Sequence, residues 1–160
     1  MAILVLGLGN LLMSDDGLGS RVIEALEKEG LGSSEIRLLD GGTLGLDLLP
    51  RLEGIERLLI IDALQMGVAP GTLVRLEGEE VPRAFANKLS VHQMGLQDLL
   101  AVAELQGNLP QELVVIGVQS AIIEMGMELS PAVAAAFDEV LEAVRQQLAV
   151  WGEPSSAACA

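Results

Sequence analysis

The opening Ala2-Ile-Leu-Val-Leu6 is an unbroken aliphatic run that halts at Gly7-Leu-Gly9-Asn10. A run of this kind reads as a strand buried on both faces, the mark of a parallel sheet covered by helices. Leu58-Leu-Ile-Ile61, ending at Asp62, and Leu113-Val-Val-Ile116, ending at Gly117, repeat the pattern. Ile36-Arg-Leu-Leu39 is a shorter strand that ends at Asp40-Gly41-Gly42-Thr43. Beyond a turn at Gly67–Gly71, Thr72-Leu-Val-Arg-Leu76 reads as an antiparallel edge strand.

Helical spacing fills the gaps between these runs. Leu18, Val22, Ile23 and Leu26 share one face of a helix over 17–29, closed by Gly30. A second helix is expected around 44–51. Ser90 and Gln93 form a capping box that opens a third, running to Leu105. Ser130-Pro131 starts the last, running to Val150 with Val133, Phe137, Val140, Leu141, Val144 and Leu148 on its inner face. The alternation predicts a single α/β domain over 1–152, three layers α/β/α, with a mostly parallel twisted sheet of about five strands. Residues 153–160 are expected to be a disordered tail.

Composition narrows the function. The 160 residues carry 23 acids against 9 basic residues, a net charge of -14. Such a surface argues against nucleic acid and anionic membrane as partners, since phosphate demands a basic face. The single cysteine, Cys159, lies in the tail. An internal disulfide, a thiolate zinc cluster and a cysteine nucleophile within the folded body are therefore excluded. No basic leader and no apolar run of about 20 residues is present, so a cytoplasmic, soluble protein is expected.

Ligands of open α/β sheets bind beyond the carboxyl ends of the strands. Asp16, Asp40 and Asp62 are each expected just past such an end, and His92, the one histidine, falls in the first turn of a helix. The positive end of the helix dipole disfavours imidazolium and keeps that ring a neutral donor. One imidazole with two carboxylates is a donor set for zinc, nickel or iron. Blander roles exist for each residue. Asp16 suits a helix cap, Asp40 before two glycines suits a turn, and a lone histidine is often structural. Asp62 resists such a reading, because an acid ending a buried strand is costly without a partner. A dinucleotide site competes, with Gly7, Gly9 and Asp40 in place, but Leu12 stands where its third glycine belongs. Asp15 and Asp16 would also repel a pyrophosphate.

Taken together, these segments resemble the hydrogenase maturation proteases. The matching stretches are Ile3–Leu12 with Asp15-Asp16-Gly17-Leu-Gly19, Leu39–Thr43, Ile60–Ala63, Ser90–Leu96 and Val115–Gly117. The resemblance implies an endopeptidase that clips a C-terminal peptide from the large-subunit precursor of a [NiFe] hydrogenase after nickel insertion. It implies Asp16, Asp62 and His92 as metal-binding positions, with Asp40 a further position implicated in activity. Many relatives carry Glu where Asp16 stands, one methylene longer. The segment Val118–Glu124 is poorer in proline than the family pattern, and no role is carried onto it.

Two mechanisms fit. A metal held by Asp16, Asp62 and His92 could activate water and polarise the scissile carbonyl. Alternatively these residues grasp nickel supplied by the substrate, so that an empty precursor goes uncut; cadmium or zinc would also suit the site in vitro. The second is favoured, with Asp40 as general base or as a residue orienting a ligand. A monomer that docks transiently on its precursor is expected. A non-catalytic nickel sensor or chaperone and a Rossmann-like nucleotide-binding module are the alternatives.

Overall fold

A computed structural model of the chain describes residues 2–42, 45–78, 80–81 and 99–152. Among the described residues five strands form one sheet in the order β2-β1-β3-β5-β4. They are β1 (Ile3–Leu8), β2 (Ile36–Gly42), β3 (Arg57–Leu64), β4 (Leu73–Glu77) and β5 (Glu112–Gln119). β1 pairs in parallel with β2 and β3, and β3 with β5. β4 lies at the sheet edge, antiparallel to β5 and paired only with it among the described residues.

The period-two alternation of a strand assigns side chains to the two sheet faces. Ile3, Val5, Leu59, Ile61, Val114 and Ile116 pack on α1 (Leu18–Lys28) and on the C-terminal helix Pro131–Gly152. Leu4, Leu6, Leu58, Ile60, Leu64 and Val115 face the other way, onto the short α2 (Leu49–Leu52) and onto α3, helical over 99–105. The C-terminal helix is therefore α4. Two aliphatic cores, one on each face, make the expected three layers.

Helix starts follow local chemistry. Ser130 caps α4, its Oγ accepting the Val133 N–H at 3.4 Å, with Pro131 next in line. The segment around 44–51 is a 3-10 turn, Gly45–Leu48, running into α2. The expected capping box at Ser90 and the start of its helix lie outside the described residues. So does the tail 153–160.

α1 begins hard against the sheet. A Cβ on Gly19 would sit 2.3 Å from the Leu8 carbonyl oxygen and 2.5 Å from that of Ile61. Both are backbone atoms held in the sheet, in the last residue of β1 and the middle of β3, so neither can yield cheaply. Gly19→Ala is expected to lower stability by about 3 kcal/mol, the upper range for overpacking, measured by denaturant unfolding.

Two strand ends differ from expectation. β2 and β3 run on through Gly42 and Leu64, so Asp40 and Asp62 lie within strands rather than past them. The reason is backbone pairing: Asp40 is in register with Gly7, and Asp62 with Gly117. Ladder hydrogen bonds join backbone groups, so a polar side chain does not end them.

Candidate active site

The loop after β1 builds the site's first wall. Gly9 has φ 115, and a Cβ there would fall 1.9 Å from the Asp16 carbonyl oxygen. The glycine is thus required by the close return of the chain, without any need for a phosphate. Ser14 has φ 53, a left-handed backbone at a residue other than glycine. Such strain costs about 1–3 kcal/mol and persists only where surroundings over-determine it. Here the Ser14 N–H donates to the Gly126 carbonyl and its Oγ to the Glu124 carbonyl, both at 2.8 Å.

That strained start opens a 3-10 turn, Ser14–Gly17, which carries two buried acids. Asp16 is 5% exposed, and its Oδ2 accepts the Asn10 N–H at 2.9 Å. The N-cap of α1 is Gly17, which makes no side-chain capping bond. The turn, rather than helix capping, is what sets Asp16.

Asp15 is fully buried and looks the other way, into the loop after β5. Its Oδ2 accepts the N–H groups of Ala121 and Ile122, each at 2.8 Å, and the Ser130 hydroxyl at 2.9 Å. Its Oδ1 accepts the Ser130 N–H at 2.6 Å. Burial works to raise the Asp15 pKa, but the N–H groups of Ile122, Ser130 and Ala121 and the Ser130 hydroxyl outweigh it. The carboxyl is held below the ordinary aspartate value and clamps the loop as an anion at neutral pH.

Asp62 forms the second wall. It is 0% exposed on β3, one residue beyond the Gly7–Ile61 pair. By alternation it shares the face of Leu58, Ile60 and Leu64, the side covered by α2 and α3. Beside it, the ends of β3 and β5 are tied through Gln119, whose Oε1 accepts the Met66 N–H at 2.6 Å. Asp40 is exposed on β2. Its Oδ1 accepts the Ser20 hydroxyl at 2.7 Å and the Gly42 N–H at 3.1 Å, so it does close a local turn while pinning the start of α1.

Asp16, Asp40 and Asp62 therefore all stand at the carboxyl end of the sheet, on three adjoining elements. Among the described residues no three histidine, cysteine, aspartate or glutamate side chains make a metal-holding group. His92, the third expected ligand, lies outside them. Sequence reasoning missed Asp15 as a structural anion, and with it the bond from Ser130 and the loop they fix. The only hint was the second acid in Asp15-Asp16, which nothing local explains.

Asp16, Asp40 and Asp62 thus stand at the sheet edge where open α/β sheets bind their ligands. Comparison with known proteins makes the class specific: this chain belongs to the hydrogenase maturation protease family, whose HycI signature matches residues 20–147. It is 41% identical over 145 residues to the Hydrogenase 2 maturation protease of Escherichia coli (strain K12), covering 90% of this chain and 88% of the relative. Over 153 residues it is 45% identical to the hydrogenase expression/formation protein HupD of Rhodobacter capsulatus, covering 94% and 72%. In three dimensions it is similar to the hydrogenase maturating endopeptidase HybD from E. coli. The TM-score is 0.89 at 39% identity, covering 95% of this chain and 94% of that one. The chain is an endopeptidase of hydrogenase maturation.

Proposed function

We propose that this endopeptidase removes the C-terminal extension of a [NiFe] hydrogenase large-subunit precursor once nickel is in place, and that it recognises the precursor through that nickel. The observation that carries the reading is the pair of buried carboxylates, Asp16 and Asp62, at 5% and 0% exposure on adjoining elements of one sheet edge. Family membership supplies the reaction. Carboxylate oxygens at that edge are hard donors of the kind that divalent metals accept. With His92 as third donor, carboxylate oxygens and an imidazole nitrogen suit nickel and zinc, and cadmium as zinc's heavier congener.

In this reading Asp16, Asp62 and His92 close on the nickel that the precursor carries. The grip fixes the scissile peptide relative to the enzyme, and positioning of this kind is itself a large share of catalysis. A precursor without nickel gives these three ligands no ion to grip and stays uncut. The enzyme works as a monomer in the cytoplasm, docking transiently. Among the described residues no helix is long and apolar enough to cross a membrane.

The test is to incubate the enzyme with nickel-loaded and nickel-free precursor and follow precursor mass. Loss of the C-terminal peptide from the loaded form alone is expected; equal cutting of both forms would remove nickel recognition. His92→Ala should keep its fold and lose processing. Asp40 serves as a positioning residue, since its carboxylate is engaged by Ser20 and Gly42. Asp40→Asn keeps an acceptor for both, so turnover should stay within about tenfold. A loss in the range of about 10²–10⁴ would instead make Asp40 the general base.

A further inference from the structure

The loop after β1 and the loop after β5 are hydrogen-bonded to one another beside Asp16. Met13 and Gly126 form a parallel bridge, and the Gly126 N–H donates to the Leu12 carbonyl at 2.8 Å. The Asp15 N–H donates to the Ile122 carbonyl at 3.1 Å, and the Arg21 guanidinium donates to the Met127 carbonyl. Large apolar side chains stand exposed on this pair of loops: Leu11, Leu12, Ile122, Ile123, Met125 and Met127. They are six of the ten large exposed hydrophobics among the described residues. Leu12, Met125 and Met127 are the most open, at 57%, 88% and 62%.

Apolar residues scattered singly need no explanation, but six on two loops bonded to one another do. The loop after β5 is fixed by a buried carboxylate bonded four times and by the bonds of a strained serine. We infer that the two loops form a docking surface for an extended apolar segment of the precursor polypeptide next to the scissile bond. The inference rests on the function proposed above and deepens it. Continuity with the site argues for this occupant: Asp15 fixes the loop, and its neighbour in the same turn is Asp16. Whatever lies on the patch is therefore held at a set distance from the reacting centre. Unbranched methionines adapt to differing apolar partners. Glu124 and Glu128, interleaved with them, disfavour acidic side chains in the segment.

Nickel-free precursor, uncut on the proposed reading, isolates this contact. Its binding to the wild-type enzyme and to Met125→Asp/Met127→Asp is compared by titration, with circular dichroism as the folding control. The double variant should bind at least tenfold more weakly, and Met125→Leu/Met127→Leu should bind as the wild type does. Equal binding by wild type and aspartate variant overturns the inference, as does a wild-type dimer that the variant splits into monomers. Failure of the function itself reads out separately, as wild-type enzyme that leaves nickel-loaded precursor at full mass.

Discussion

Asp62→Asn is expected to cut processing of nickel-loaded precursor by about a hundredfold or more, with the protein still folded. The magnitude follows from what an indirect partner of a metal ligand is worth, about 10–100-fold; a ligand itself sets a higher floor. The amide has the carboxylate's shape, so the fully buried site on β3 gains no cavity and no overpacking. What disappears is the charge and one strongly coordinating oxygen. Processing is read by precursor mass and folding by thermal unfolding, where a shift beyond about 4 °C would signal ~1 kcal/mol of structural damage. Turnover within tenfold of wild type would remove Asp62 as a ligand. The choice of Asn over Ala separates chemistry from packing, because Ala would leave a hole beside Leu58 and Ile60.

How far such a site could be read in advance depended on the range of the forces that build it. The buried strands were legible because a central strand of a parallel sheet is apolar on both faces, as Leu58–Ile61 and Leu113–Ile116 are. Ser130 was legible as a cap because its partner, Val133, is three residues away. The ends of β2 and β3 were not, since pairing opposite Gly7 and Gly117 carries the strands past Asp40 and Asp62 whatever their side chains. Asp16 was identified as a candidate for its position, yet what seats it is the Asn10 N–H and the glycine backbone beside it. Asp15 was beyond reach. Three of its four bonds come from backbone N–H groups over 100 residues away, and a backbone donor leaves no letter in the sequence. The apolar letters of the loop after β5 were visible, but only tertiary structure reveals that they stay outside.

Asp15→Asn should cost about 3 kcal/mol of stability, the largest loss expected from a single substitution that leaves packing volume unchanged. Hydrogen bonds to a charged group contribute about 1.5–3 kcal/mol each, offset by the cost of burying the charge. Asn keeps one oxygen but turns an NH₂ group toward donors, leaving N–H groups of Ala121, Ile122 or Ser130 facing hydrogen rather than an acceptor. The pH dependence separates this from a generic defect. The folded-state pKa of Asp15 lies below the ordinary value, which is about 3.9 in the unfolded chain. Its contribution is therefore complete above that value and is lost as pH falls through the lower, folded-state pKa. The stability gap between wild type and Asp15→Asn should hold level from neutral pH down to about 5 and narrow below about 4. Denaturant unfolding across that range measures it; a gap unchanged at the acid end would mean that Asp15 acts as a neutral hydrogen-bonding group. Because the same carboxylate braces the apolar loop, the variant should also lose affinity for nickel-free precursor at neutral pH, where the protein is still folded. That coupling makes one buried anion responsible both for the stability of the sheet edge and for the shape it presents to its substrate.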